Sequence, residues 1–259
     1  MSLSRRINAP GLATFAVLLF LWEVSARLNP VMGAYLPPAS RIVQSLFQLA
    51  FSRELFTHLI VTLGRFLAGY LLAAMIAVAL GIVLGYFRRA YNLCEIVIEL
   101  LRPMPSVAII PVAILMLGIG NATIVAVTVY ACAWPILINT IDGVRNIDRM
   151  LLDTGRTFGL GRWRILRAIA LPAALPYIVT GLRVSLSIAL ILVTTGEMVV
   201  GSSGLGFFIL DEERSLRTGN MYAGIALVSF LGYALNRLFV WLDATAMKWH
   251  RGMTAREAL

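Results

Sequence analysis

Five ionisable side chains lie inside or near the ends of long apolar segments, where charge is costly. An ionised group in a membrane costs about 2.5–3.5 kcal/mol to insert unless it is paired or faces a cavity. A pair of opposite charges fixes helix packing, whereas an unpaired arginine suits an oxyanion because its planar donors match two oxygens. The chemistry open to these groups is therefore ion pairing or anion binding. The five are Glu23, Arg65, Arg183, Glu197 and Arg237.

Glu197 is the most informative of the five because small and polar residues surround it, including a glycine- and serine-rich segment at 201–206. One interpretation places it on a transport path or at an outer gate; the other makes it a buried acid paired with an arginine. Arg65 has the same two interpretations, since it can pair with Glu197 across a helix bundle or bind an anionic substrate. The residues that we assign to a translocation path or gate are Arg65, Arg183, Glu197, Ser202 and Ser203.

Motifs for hydrolytic or metal chemistry are missing from the sequence. It has no G-x-x-x-x-G-K-[ST] phosphate loop, so the chain should not hydrolyse ATP itself. It has neither H-E-x-x-H nor G-x-S-x-G, the motifs of metallopeptidases and lipases. His58 and His250 are isolated, and Cys94 and Cys132 lack the spacing of metal ligands. We expect no catalytic residue, no metal site and no cofactor in this chain.

Six apolar segments indicate the fold class. Hydrophobic residues make up 59% of the chain and charged residues 14%, against about 25% charged in soluble domains. About 20 apolar residues cross a bilayer as a helix. We therefore predict an all-α membrane protein with six transmembrane helices in one domain, residues 1–259, with a core of about 55–243. The segments are 12–28, 55–87, 104–117, 122–141, 173–200 and 222–243, of which the first and third are marginal in length.

The longest polar interruption, residues 144–172, separates the fourth and fifth segments. It contains six arginines and two acids. A first amphipathic run stops at Gly159 and Gly161, and a second ends at Leu171 and Pro172. This pattern predicts two short helices joined by a glycine hinge. Held at the face of a membrane protein, such a loop is suited to docking onto another protein.

Positive charge is distributed unequally between the two sides of the predicted bundle. With the N-terminus and the 144–172 loop on one side, fourteen basic residues lie there and five lie opposite, so the loop and both termini are expected to be cytoplasmic. The net charge of +9 then follows from topology, and nucleic-acid binding is a poor interpretation. The start of the chain also has features of a signal peptide, but Glu23 disfavours cleavage, so we expect the first segment to be retained. The fourteen are Arg5, Arg6, Arg88, Arg89, Arg102, Arg145, Arg149, Arg156, Arg162, Arg164, Arg167, Lys248, Arg251 and Arg256; the five are Arg27, Arg41, Arg53, Arg214 and Arg217.

The loop resembles the EAA…G…I-x-L-P segment of ABC importer permeases. The resemblance rests on Asp153, on Gly159 six residues later, and on the sequence IALP at 169–172, while the family's Glu-Ala-Ala is Asp-Thr-Gly here. In that family the loop forms a coupling helix that fits a cleft on a cytoplasmic ATPase. The resemblance implies an ATPase-coupling surface that consists of Asp148, Met150, Leu151, Asp153, Thr154, Gly155, Phe158, Gly159, Leu160 and Gly161.

Four further segments, within residues 36–243, are similar to permeases of the nitrate/sulfonate/taurine importer group. The resemblance implies a type I ABC importer permease in the bacterial inner membrane that works as a homodimer. Its partners would be two cytoplasmic ATPase subunits, which bind ATP and Mg, and an extracytoplasmic substrate-binding protein. The substrate implied is a small anion or organic acid such as nitrate, a sulfonate or taurine. The segments are 101–105, 171–177, 180–183 and 197–206.

Other classes of membrane protein are less well supported. A self-sufficient secondary transporter or channel should show an ion relay of membrane acids or histidines, or inverted repeats, and the sequence shows neither. A membrane scaffold or a membrane enzyme would leave the glycine-hinged loop unexplained. An exporter would need no external binding protein, and exporters more often fuse the ATPase to the membrane domain.

Overall fold

A computed structural model describes residues 9–50 and 52–246 of the chain, and every regular element within them is helical. Arg5, Arg6, Lys248, Arg251 and Arg256, which we expect on the cytoplasmic side, lie outside the described residues, as does His250. The helices are α1 (Ala9–Leu28), α2 (Pro30–Tyr35), α3 (Ala39–Ala50), α4 (Arg53–Tyr86), α5 (Arg88–Leu101), a 3₁₀ turn (Ser106–Ile109), α6 (Ile110–Leu117), α7 (Asn121–Arg145), α8 (Arg149–Thr157), α9 (Arg162–Ile165), a π-helical turn (Leu166–Ala170), α10 (Leu171–Val200), α11 (Leu205–Arg214) and α12 (Thr218–Ala246).

Four helical stretches in the described residues are long and apolar enough to cross a membrane: α4, α7, α12 and the run Trp163–Val200 that contains α10. Two bent pairs of helices raise the number to six if each pair is one span. The all-helical prediction is confirmed, and the count of six stays a prediction.

The third predicted span, residues 104–117, is the second half of a sharply bent pair of helices, and it stays a prediction. The stretch Arg88–Leu101 and the stretch Ser106–Leu117 meet at an angle of 92°, so two separate helices replace one kinked helix. Pro103 and Pro105 lie in the break. Each proline lacks an N–H and clashes with the preceding turn, and together they end α5.

The centre of the bundle is α7, which packs against α4 on one side and α10 on another. The contact with α4 is so close that it leaves no room for a side chain at two glycines. A Cβ on Gly81 would lie 2.5 Å from the Cβ of Thr140, and a Cβ on Gly85 would lie 2.7 Å from the Cβ of Val144. Small residues of this kind let membrane helices approach without a hydrophobic driving force. The close-packed stripe on α4 consists of Gly69, Ala73, Ala77, Gly81 and Gly85.

Replacing Gly81 by alanine should therefore destabilise the bundle. The added methyl group overlaps Thr140 and lies 3.1 Å from the carbonyl oxygen of Leu137, and overpacking of this kind costs about 1–3 kcal/mol. Gly64→Ala on the same helix is the control, because a Cβ there has no atom within 4 Å. Thermal unfolding in detergent should show a lower midpoint for Gly81→Ala and an unchanged or higher one for Gly64→Ala. Equal midpoints would contradict the close approach of α4 and α7.

The predicted end of the second loop helix at Leu171 and Pro172 is wrong. Helical structure continues without a break from Trp163 to Val200. The reason is the π-helical turn before Pro172, in which the N–H of Leu171 donates to the carbonyl oxygen of Leu166. The wider turn changes the hydrogen-bonding register just where the proline has no N–H to donate. The loop and the fifth apolar segment are thus joined by one helical run.

Candidate functional sites

Four side chains and one turn form a buried polar cluster at the end of α10 farthest from the 144–172 loop. We call it the polar clasp: Thr62 and Arg65 from α4, Asn121 from the start of α7, Glu197 from the last turn of α10, and the turn at residues 201–206. Glu197 is fully buried, and Arg65 is 6% exposed. The position of the polar clasp follows from the path of the chain, since α4 begins, α7 begins and α10 ends at this side of the bundle.

Every N–H of the Arg65 guanidinium group is used within the polar clasp. Nη1 donates to Glu197 Oε1 at 2.8 Å and to the carbonyl oxygen of Ser203 at 2.6 Å. Nη2 donates to Asn121 Oδ1 at 2.6 Å and to the Ser203 hydroxyl at 3.1 Å, and Nε donates to Asn121 Oδ1 at 2.9 Å. Because a guanidinium has five N–H donors, this arrangement has none left for an anion. Of the two interpretations of Arg65, the ion pair is the one present.

The carboxylate of Glu197 fixes the turn that follows α10. Besides Arg65, it accepts a hydrogen bond from the Thr62 hydroxyl, at 3.0 and 2.9 Å to its two oxygens, and one from the N–H of Gly206 at 2.9 Å. The turn requires glycine at 204, where φ is 107° and a Cβ would overlap the Glu197 carboxylate. This turn positions α11, a helix that the sequence did not predict.

The structure brings together Arg65, Glu197 and Ser203 from the proposed path or gate set and leaves out the other two. Ser202 is exposed beside the polar clasp, and Arg183 is exposed on the middle of α10. Sequence reasoning missed Thr62 and Asn121 as members. Thr62 lies one helical turn before Arg65, and this spacing could have predicted that the two side chains share a helix face. No local pattern relates Asn121 to either ionised group.

The 144–172 loop forms a second site, which local hydrogen bonds shape. Asp148 caps α8 by accepting a hydrogen bond from the N–H of Met150 at 2.8 Å. After α8, the N–H of Leu160 donates to the carbonyl oxygen of Gly155 at 3.0 Å, and that of Gly159 donates to Arg156 at 2.9 Å. These two bonds define a Schellman motif. Gly159 has φ 72°, and Gly161 is not left-handed, so only one of the two glycines in the predicted hinge adopts a conformation that favours glycine.

One side of α8 packs inward and the other is exposed. Leu152 packs against the cluster that contains Val144 and Ile147, and a Cβ on Gly155 would lie 2.6 Å from Ile169 Cδ1. Asp153 pairs with Arg156 at 2.8 Å, and Thr154 donates to the carbonyl oxygen of Met150 at 2.7 Å; both side chains are exposed. Four other apolar side chains of the loop are exposed: Met150, Leu151, Phe158 and Trp163.

These four exposed side chains, which we call the apolar tip, are unusual for their surroundings. Phe158 is 80% exposed and Met150 73% exposed, on a loop rich in arginine. Large apolar side chains exposed among polar residues are a feature of interaction sites. Trp163, at 77% exposed, belongs to the apolar tip although we did not include it in the predicted coupling surface. The apolar tip and the polar clasp lie at opposite ends of α10, which is about 45 Å long at about 1.5 Å per residue.

Comparisons with known proteins agree with this architecture. Residues 77–248 match the family described as the binding-protein-dependent transport system inner membrane component. The aliphatic sulfonates transport permease protein SsuC of Bacillus subtilis is 30% identical, over 92% of this chain and 87% of the relative. The nitrate import permease protein NrtB of Synechocystis is 27% identical, over 93% of this chain and 90% of the relative. A chain of the MetNI methionine ABC transporter, solved in inward-facing conformations, superimposes with a TM-score of 0.61 at 21% identity, covering 70% of this chain and 90% of that one.

A helical bundle with a buried polar cluster at one end and an exposed loop at the other is thus the type I ABC importer permease fold. The chain belongs to the binding-protein-dependent transport system inner membrane component family. The resemblance to permeases of the nitrate and sulfonate group is confirmed, and the protein is a membrane permease component of an ABC transport system.

Proposed function

We propose that the whole chain is one permease domain that imports a small anion or organic acid, such as a sulfonate, taurine or nitrate, into the cytoplasm. Two copies form the membrane unit, and two separate ATPase subunits, which bind ATP and Mg, drive it from the cytoplasmic side. An extracytoplasmic binding protein delivers the substrate at the end that carries the polar clasp. The names of the sulfonate and nitrate relatives support the substrate class.

The observation that carries this proposal is the apolar tip. In a loop rich in arginine, exposing a phenylalanine at 80% and a tryptophan at 77% to water is unfavourable unless another molecule covers them. Burial in a cleft of another protein would remove this surface from water, at about 25 cal/mol per Å² of apolar area. The continuous helical run from Trp163 to Val200 would carry movement of the docked partner into the bundle.

The direct test is purification of the tagged chain from its native membrane in mild detergent, with identification of the proteins that accompany it. An ATPase should co-purify, and its retention should depend on the apolar tip. A chain that arrives alone and transports in liposomes without ATP would overturn the proposal in favour of a secondary transporter or channel.

A Gly159→Val variant should weaken attachment of the ATPase. A β-branched residue is strained at φ 72°, and the left-handed conformation costs an ordinary residue about 1–2 kcal/mol. Relief of that strain would move Phe158, the neighbouring residue, so the affinity for the ATPase should fall by about 5- to 30-fold, and less ATPase should be retained.

The matched control for this change is Gly161→Val. Gly161 is exposed like Gly159, and a Cβ at either position would have no atom within 4 Å, but Gly161 lacks the positive φ. Because Gly161 belongs to the predicted coupling surface but lacks this backbone strain, Gly161→Val should retain clearly more ATPase than Gly159→Val. Equal retention by both variants, measured by quantitative gel analysis of the purified complex, would contradict the role of Gly159.

A further inference from the structure

A cavity of about 500 Å³ lies between α3 and the turn that joins α11 to α12, at the polar-clasp end of the bundle. We call it the α3–α12 cavity. Among the described residues, no acidic side chain lines it, so the charges that border it are positive. Neither the polar clasp nor the 144–172 loop contributes a residue to it. The polar side chains that line the cavity are Arg41, Gln44, Ser45, Gln48, Arg217 and Asn220.

The two arginines of the α3–α12 cavity keep donors available for a ligand. Arg41 is exposed, and within the described part of the chain its guanidinium has no ion pair and no hydrogen bond. Arg217 Nε lies 2.8 Å from Glu212 Oε2, and its two terminal nitrogens donate no hydrogen bond to a described residue. The ion pair therefore holds Arg217 in place, while Arg41 is held by no side chain.

Ser45 is the buried member of the α3–α12 cavity. It is 8% exposed, and its hydroxyl has no hydrogen-bond partner among the described residues. A buried polar group without a partner costs free energy, so it favours a ligand that accepts from it. A Cβ on Gly219 would lie 2.9 Å from Ser45 Oγ and 3.7 Å from Arg41 Nε. The missing side chain at Gly219 thus leaves a space that the hydroxyl and the guanidinium both border.

The start of α12 adds backbone donors to this space. The N–H groups of Asn220 and Met221 donate to the carbonyl oxygen of Arg217 at 3.0 and 3.1 Å, but those of Thr218 and Gly219 have no acceptor in the described ranges. The first turn of a long helix carries unpaired N–H groups and a partial positive charge, which favour an anion. Side chains and backbone therefore favour the same ligand, a negatively charged group with several oxygen atoms.

The faces of α3 place the cavity at the membrane surface. Ile42 and Ser45 are buried against the bundle, whereas Val43 is 51% and Phe47 69% exposed. The polar residues on the cavity side, including Arg41, are exposed as well. A helix with an exposed apolar face and a polar face lies in the interface between membrane and water. At that depth the cavity is within reach of lipid headgroups and of anions dissolved in water.

We propose that the α3–α12 cavity binds an oxyanion, to which the Arg41 guanidinium and the Ser45 hydroxyl donate hydrogen bonds. The planar donors of arginine match two oxygens of a phosphate, sulfonate or carboxylate group. A lipid headgroup and a small soluble anion both carry such a group. The bound oxyanion holds α3 against the start of α12. This inference goes beyond the proposed function, because it requires neither an ATPase nor transport.

The test measures binding to the full chain, purified and delipidated in mild detergent, through its midpoint of thermal unfolding. Two probes separate the sources of the oxyanion. Inorganic phosphate is compared with chloride at equal ionic strength, and phosphatidylglycerol is compared with a diacylglycerol that has the same acyl chains. A ligand that binds only the folded state raises the midpoint as its concentration rises, which gives an apparent dissociation constant.

Arg41→Gln should raise the apparent dissociation constant of the probe that binds by at least about tenfold, because charge-assisted hydrogen bonds are lost. The midpoint without ligand should not change, since Arg41 is exposed and has no partner in the described ranges. Arg53→Gln is the matched control, because Arg53 is an exposed arginine of α4 that does not line the cavity. Gly219→Ala should also weaken binding without changing the charge, because its methyl group would lie 2.9 Å from Ser45 Oγ.

The outcomes distinguish the two ligands and the absence of a site. A response to inorganic phosphate that depends on Arg41 identifies a soluble anion, and a response to phosphatidylglycerol alone identifies a lipid headgroup; both support the oxyanion site. No response to either probe would overturn the proposal, as would an equal response from the unmodified chain and Arg41→Gln. An equal loss of affinity in Arg53→Gln would also overturn it, because surface charge in general would then account for the binding.

Discussion

An Arg65→Met variant is expected to lose about 3–5 kcal/mol of the free energy of unfolding, the usual cost of leaving one partner of a buried ion pair without the other. Glu197 is fully buried and would keep only the Thr62 hydroxyl and the Gly206 N–H as hydrogen-bond donors. The turn at 201–206 would also lose the two bonds that Arg65 donates to Ser203. The measurement is unfolding of the purified chain in detergent, followed by helical circular dichroism.

Two further variants make this expectation specific. Arg53→Met removes an exposed arginine from the first turn of the same helix, and its effect should stay within about 0.5 kcal/mol. The double variant Arg65→Met/Glu197→Met should recover part of the loss, because two apolar side chains can replace a buried pair at little net cost. If Arg65→Met were no less stable than Arg53→Met, the polar clasp would not be a stabilising element.

A Phe158→Asp variant is expected to lose the ATPase during purification. A large apolar side chain at the centre of an interface contributes about 2–4 kcal/mol to binding, which corresponds to about 30- to 700-fold in affinity. The aspartate would add a charge to the apolar tip, where docking excludes water. The measurement is the amount of ATPase bound per permease, with ATP hydrolysis of the purified complex as a second readout.

The control for Phe158→Asp is Leu216→Asp. Both residues are 80% exposed apolar side chains, and Leu216 follows α11 at the polar-clasp end of the bundle. Leu216 has φ 55°, a conformation that aspartate adopts more readily than leucine, so this change should not harm folding. Retention of the ATPase by both variants would remove the apolar tip as the docking surface. Loss in both would point to a general effect on assembly.

The loop shows how far local sequence information reaches. The amphipathic run and its stop at Gly159 are properties of neighbouring residues, and the structure forms a helix there. The error at Pro172 has a local cause of a different kind. A proline usually ends a helix, but the preceding π-helical turn lets this one continue, and no pattern in the sequence predicts such a turn.

The sequence did not predict which face of each long apolar helix packs inside the bundle. The sequence placed Arg65 and Arg183 in apolar segments and gave both the same two interpretations. Only the packed bundle distinguishes them, since one is buried against Glu197 and the other is exposed on α10. In a helix that is apolar all round, hydrophobic periodicity does not identify the side that packs against other helices. The rotation of each helix then depends on close contacts such as Gly81 with Thr140.

By itself, the sequence determined that this is a helical membrane protein with a long polar loop that forms a short helix, because length, hydropathy and glycine stops are properties of short stretches of chain. The tertiary structure decided which charges meet. Arg65 and Glu197 are separated by more than half of the chain and by α7, and their pairing depends on how three helices approach and rotate. It also decided that Arg183 has no partner within the described part of its own chain, because that depends on which side of α10 the bundle leaves uncovered.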